Sequence, residues 1–273
     1  MADGSLSGII IYPIKSMGGI EVSGAAVEDR GLRLDRRWML VDANGVFITQ
    51  REHPRMALVA ITVEDDGLIC TAPGWDDLFV PITLTDPQTL SVTIWRSTCL
   101  AQRVGREADA WFSAFLETSC HLVYMPESTR RSVSADHAIA DDIVSFADGY
   151  PFLLIGEASL ADLNDHLEQP VLMNRFRPNL VIDGTAAFAE DTWKVVRIGD
   201  ITFHVVKPCG RCVITTVDQA MGRFGGKDPL KTLARYRTWN HNAMFGQNLI
   251  GAGTGTLRVG DPLVVVETKP ARD

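Results

Sequence analysis

Along the first hundred residues, short apolar runs alternate with turn residues, and a helical period is rare. "SGIIIYPI", "RRWMLVDANGVFIT", "MALVAITVEDDGLICTA" and "LSVTIW" each predict strands. Asn44-Gly45 and Asp66-Gly67 are dipeptides that tight hairpins favour. "EADAWFSAFLE", residues 107–117, predicts a helix with Ala110, Trp111, Ala114 and Phe115 on one face. The polar, turn-rich "PESTRRSVSADHAIADD" (126–142) predicts a linker or mobile loop, and divides the chain into a first domain, 1–125, and a second, 126–273. In the second half, "GEASLADLNDHLE" predicts a helix capped by Glu157 or Ser159 and carrying Leu160, Leu163 and Leu167. "DPLKTLARYR" predicts another, with Asp228 as cap and Pro229 first in the helix. "PNLVIDG", "WKVVRIGDITFHVV", "CVITTVD" and "GTLRVGDPLVVVE" read as strands; the related "RIGDITF" and "RVGDPLV" share a strand–turn–strand grammar. Strands outnumber helices and do not alternate with them regularly. The fold class expected is mainly β (α+β) and barrel-like, unlike a Rossmann fold.

Composition narrows the function classes. Of 273 residues, 26 are basic and 34 acidic, a formal charge of −8. That balance argues against a general nucleic-acid or anionic-membrane binder, though not against one basic pocket. No apolar run approaches the roughly 20 residues of a membrane-spanning helix, and "MADGSLSGIIIYPIKS" lacks signal-peptide features. The five cysteines (Cys70, Cys99, Cys120, Cys209, Cys212) are odd in number and without framework spacing, so a reducing, cytoplasmic location is expected.

Two of those cysteines form a Cys-x-x-Cys in "VVKPCGRCVITTVDQ". A redox dithiol normally opens a helix, but this pair lies between strand-like segments. A structural zinc needs two more ligands at recognisable spacing, and the other cysteines and six histidines are scattered. Two readings stay open: one functional thiolate favoured by Lys207 and Arg211, or two small buried hydrophobes. Basic residues also gather at turns: Lys15 beside Ser16 in "YPIKSMGG", then Arg33, Arg36, Arg37, Arg51, Arg55, Arg175 and Arg177. Lysine, serine and forked guanidiniums suit a phosphate, although the order of a P-loop is absent.

"YPIKSMGG", "DRRWMLVD", "ITQREHPRM", "SFADGYPFLLIGEASLADLN", "FRPNLVIDG", "KPCGRCVITTVD", "PLKTLARYR", "FGQNLI" and "RVGDPLVV" occur in this order. Together they resemble the MOSC-domain proteins, named for the C-terminal domain of molybdenum cofactor sulfurase. The branch is that of hydroxylaminopurine resistance and the mitochondrial amidoxime-reducing component. The resemblance runs from about Leu6 to Val266. It implies an N-terminal β-barrel domain, then a MOSC β-barrel domain with a few flanking helices, and a molybdopterin-type molybdenum cofactor between them. By matching "GRCVITTV", it implies Cys212 as metal ligand and catalytic centre, and leaves Cys209 without a role. It implies cofactor contacts from Lys15, Ser16, Arg36, Asp148, Arg177, Asn179 and Arg211; Asn248 stands where some relatives carry tyrosine. The implied reaction is two-electron reduction of the N–O bond in a small N-hydroxylated compound, an amidoxime or hydroxylaminopurine-type base, releasing water. No cysteine follows Cys212, so no Cys₄ iron–sulfur cluster is expected in this chain. Electrons would come from a separate partner, of ferredoxin or cytochrome b5/flavin reductase type. The alternative is a non-catalytic carrier or binding module for molybdenum cofactor or sulfur.

Overall fold

The computed structural model describes residues 2–85 and 87–270. Seven strands of a nine-stranded sheet form a ring built mostly from the C-terminal half: Phe152–Gly156, Leu180–Asp183, Gly4–Ile11, Pro262–Thr268, Trp193–Ile198, Ile201–Gly210 and Asn242–Ala252. The last pairs with the first, so the barrel closes and leaves no free edge around it. Only Phe152–Gly156 and Leu180–Asp183 run parallel within the ring. The interior is apolar, with Leu6, Ile9, Leu154, Ile182, Phe203 and Leu249 among its buried side chains. Strict alternation would send Leu6 and Ile9 to opposite faces. A register shift between Leu6 and Gly8 turns both into the same core.

The N-terminal half is a half-barrel. One sheet orders Trp38–Val41, His121–Tyr124, Ser97–Arg103 and Thr89–Ile94; another holds Ala60–Val63, Gly67–Thr71 and Leu78–Pro81. Both hairpins expected from Asn-Gly and Asp-Gly are present. At the first, Asp42 Oδ1 accepts from the Asn44 and Val46 amides at 2.9 and 2.8 Å, and Gly45 takes φ 77°. The mainly β class holds. Strand pairing, however, crosses the 125/126 division: the first strand lies inside the C-terminal barrel, and Gly24–Glu28 pairs with Gly255–Arg258.

Three local expectations are corrected. The helix spans Arg106–Leu116, but its buried face carries Ala108, Phe112, Phe115 and Leu116, not Ala110 and Ala114. The larger side chains win the core, while Trp111 sits half-buried, its Nε1 donating to the Asp76 carbonyl at 2.7 Å. Segment 126–142 is not a loose linker over its first part, because Thr129, Arg131 and Val133 are buried. Arg131 Nη1 donates to the Ser145 and Ala147 carbonyls at 2.7 Å each and holds the chain towards Asp148.

The helix Glu157–Asp165 has no cap from Glu157 or Ser159. Its start is held instead by the fully buried Glu190, which accepts from the Gly156 amide at 3.3 Å and from Ser159 Oγ at 2.8 Å. Burial raises the Glu190 carboxyl above its ordinary value, and those donors oppose the rise. Glu190→Ala would leave both donors unpaired. A loss of about 2 kcal/mol is expected, read as a lower midpoint in urea unfolding.

Candidate functional site

A cleft of about 420 Å³ opens where the half-barrel meets the closed barrel. All eight residues that the resemblance implies as ligand or cofactor contacts line it. Lys15 and Ser16 follow the first strand, Arg36 precedes Trp38, and Asp148 ends the loop that Arg131 anchors. Arg177 and Asn179 enter from the turn before Leu180; Arg211 and Cys212 follow the long strand that ends at Gly210. Segments remote in sequence are fixed by backbone bonds: Lys15 N to the Trp38 carbonyl and Arg36 N to the Tyr12 carbonyl, both 2.8 Å. Ser16, Arg36 and Arg177 have φ of 67°, 49° and 56°. A side chain in that left-handed region costs roughly 1–2 kcal/mol. Three such residues around one cleft mark it as a place where stability is given up for geometry.

The expected strand over "VITTV" is instead one turn of 3₁₀ helix, Val213–Thr216. Thr215 Oγ1 donates back to the Cys212 carbonyl at 3.0 Å and Thr216 Oγ1 to that of Val213 at 2.8 Å. These local bonds override the extended preference of a β-branched run. Cys209 and Cys212 are both free, half-buried thiols on the cleft wall. Among the described residues no three His, Cys, Asp or Glu side chains form a metal-binding group.

Electrostatics distinguish this cleft from the acidic whole. Lys15, Arg36, Arg51, Arg177 and Arg211 line it with one carboxylate, Asp148. Lys15 Nζ meets Asp148 Oδ1 at 2.5 Å and Arg51 Nη2 meets Oδ2 at 3.0 Å. Burial would raise Asp148, but these two cations outweigh it and hold the carboxyl well below the usual carboxylate range. Its side chain is 51% exposed, so solvent screens the pairs and they add little to stability. Burial pushes Lys15 down to about 8, with Asp148 only partly restoring it.

Beneath, the buried Asp35 accepts from Arg36 Nη1 at 2.7 Å and from the Tyr12 amide at 2.9 Å. Burial raises the Asp35 carboxyl, against the pull of Arg36. Asn179 accepts from Arg36 Nη1 at 2.9 Å while its amide donates to the Ile10 carbonyl at 3.1 Å, so it fixes the guanidinium. The Tyr12 ring carries Arg36 at 4.3 Å and Arg177 at 4.2 Å, and burial lifts its hydroxyl to about 12. Arg211 Nη2 donates to the Phe176 carbonyl at 2.6 Å and Nη1 to Cys209 Sγ at 3.0 Å.

Among the described residues that line the cleft, Arg177 Nη2 and Arg211 Nε are buried and unpaired. Burial, the largest cause, pushes Arg177 down to about 10. Buried polar groups are almost always satisfied, so these atoms fit an anionic guest that the chain itself does not supply. A soft thiolate beside phosphate-type donors matches the donor set of a metal-carrying, phosphorylated cofactor. A larger groove of about 970 Å³ shares Arg177 with the cleft. It has no cysteine and no second cation, and carries Glu21 and Glu157, which suits an anion poorly.

Arg37, Arg55 and Arg175 serve elsewhere: Arg37 bonds the Met125 carbonyl, Arg55 pairs with Glu117, and Arg175 with Asp218. Arg51, one of the turn arginines, is not among the cofactor contacts the resemblance implies, and nothing in the sequence singles out Trp95, yet both line the cleft. Arg51 stacks on Trp95 at 4.7 Å and faces the Cys212 sulfur. Although burial opposes its charge, Asp148 and that sulfur raise Arg51 above its ordinary value. The Lys15 shift gives a pH prediction. With cofactor-free protein, affinity for sulfate, an anion that does not titrate in this range, should fall as pH rises from about 7 through 8 to 9, because the ammonium is lost there. Binding near pH 8 should take up protons, since an anion raises the Lys15 pKa. Calorimetry in two buffers of different ionisation heat reads both.

This two-barrel architecture, with a cysteine and a cationic cleft at the junction, is matched by two family models. They are the MOSC N-terminal beta barrel domain over residues 3–119 and the MOSC domain over 141–264. The chain belongs to the MOSC family. It is 38% identical over 281 residues to mitochondrial amidoxime-reducing component 1 of Mus musculus, covering 96% of this chain and 82% of the relative. Against mitochondrial amidoxime reducing component 2 of Bos taurus it is 36% identical, covering 95% and 82%. The Homo sapiens component 1 is 35% identical, with 96% and 83% covered.

Proposed function

We propose that the protein is a molybdenum-cofactor-dependent reductase of N-hydroxylated compounds, supplied with electrons by a separate protein. The observation that carries this reading is the assembly of Cys212 with unpaired, buried guanidinium donors in one cleft. The names of the relatives support the substrate class. When bound, the cofactor supplies two-electron transfer of an oxygen atom. The side chains do the rest. Lys15, Arg177 and Arg211 neutralise its phosphate and anionic edge, with Ser16 beside them. Arg36 is held in place by Asp35 and Asn179. Cys212 would hold the metal of that cofactor through its sulfur.

The overall reaction consumes an amidoxime, two electrons and two protons and yields an amidine and water. Asp148 stays ionised near neutral pH and holds no proton to give, whereas Lys15 titrates close to the working range. Preparations loaded to different extents test cofactor dependence. The rate of benzamidoxime reduction should rise in proportion to molybdenum per chain and extrapolate to zero at zero metal. Reduction by metal-free protein would refute the proposal.

A further inference from the structure

Trp95 occupies a position that its backbone disfavours. Ile94 pairs with Ser97, so Trp95 and Arg96 form a two-residue hairpin loop. Trp95 has φ 55° while Arg96 is not among the residues with positive φ. A loop with positive φ only at its first residue is the place for glycine. A bulky indole there is strained, and strain kept at the rim of a site points to use. The ring is also exposed: Trp95 is 52% accessible, with its edge against Phe47 at 5.1 Å and Arg51 over it at 4.7 Å. Phe47 is tied to the same hairpin, its amide donating to the Thr93 carbonyl at 3.1 Å. Arg51 in turn meets Asp148 and faces Cys212. The indole is thus fixed at the cleft mouth, one cation away from the sulfur, with much of its surface open.

We propose that Trp95 is a specificity-determining platform on which the flat part of the substrate stacks. The protein then favours planar, conjugated N-hydroxylated compounds over aliphatic ones. The inference rests on the reductase reading and deepens it. Stacking of a base on an aromatic side chain is sequence-tolerant and strong enough to shift affinity about tenfold. An aliphatic amidoxime has no such face to offer.

Trp95→Gly suits the turn, so the variant should fold at least as well as the parent. In molybdenum-loaded protein it should raise KM for benzamidoxime about tenfold while leaving KM for acetamidoxime, and kcat for both, within about twofold. Trp95→Phe should fall between, and Trp95→Asn, which also tolerates the turn, should match glycine. Binding of adenine, a planar ligand with no N–O bond, should weaken about tenfold in Trp95→Gly by calorimetry. Equal KM changes for both substrates, or no change with unaltered adenine affinity, would overturn the platform. If the loaded parent reduces neither amidoxime but adenine affinity still drops in the variant, the reductase reading fails and the platform stands.

Discussion

Cys212→Ala is expected to lose both molybdenum and amidoxime reduction, while Cys209→Ala keeps both. The two thiols are three residues apart on one cleft wall, yet their surroundings differ. Cys212 faces Arg51 and stands ahead of a one-turn helix whose Thr215 hydroxyl donates to its carbonyl. Cys209 lies within the long barrel strand and receives an Arg211 donor. If Cys212 is the metal ligand proposed above, removing it should cost more than the roughly 10–100-fold typical for losing an outer partner of a metal ligand. Activity in Cys212→Ala should fall by more than about a thousandfold, a scale set against that comparison. Cys209→Ala should stay within about tenfold, since it removes one Arg211 hydrogen bond and leaves that guanidinium held by the Phe176 carbonyl. Metal analysis and turnover on the same preparations read both; equal loss in the two variants would mean that the thiols act as a pair.

Arg177→Met should move stability and cofactor retention in opposite directions. In the cofactor-free chain Arg177 is a half-buried cation whose Nη2 is buried and unpaired, and desolvation already pushes it down to about 10. Replacing such a charge by an apolar side chain of similar length commonly stabilises a fold by about 1–4 kcal/mol. Stacking on Tyr12 offsets part of the present cost, so a gain on the order of 1–2 kcal/mol is expected from urea unfolding of cofactor-free protein. The same change removes a charge-assisted donor from the cofactor's anionic edge. Molybdenum retained after dialysis should fall by about tenfold or more. A variant both less stable and cofactor-replete would mean that Arg177 serves the apo fold alone.

Local pattern made the strands and the hairpins legible and gathered basic residues such as Lys15, Arg36 and Arg177 at turns, but it left the cysteine pair open. The site roles of Cys212, Asp148, Asn179 and Arg211 came from the resemblance alone. Partners distant in sequence were not legible. Nothing near "GIII" says that the first strand closes the C-terminal barrel, nor does "GEAS" reveal that Glu190 holds its helix start. "VITT" carries strand-forming side chains, but two threonine hydroxyls bonding backwards decide for a tight turn. Arg51 looked like any of several arginines at turns until Asp148 and Trp95 singled it out. By pattern Trp95 reads as the last residue of the strand "LSVTIW"; only the pairing of Ile94 with Ser97 puts it in a two-residue loop.

The most direct test of the reductase account is turnover by molybdenum-loaded parent protein with a reduced viologen dye and benzamidoxime. The account predicts sustained formation of benzamidine, with two electrons drawn from the dye for each molecule formed. Fully loaded protein that oxidises no dye and forms no benzamidine would contradict it and leave a cofactor carrier in its place.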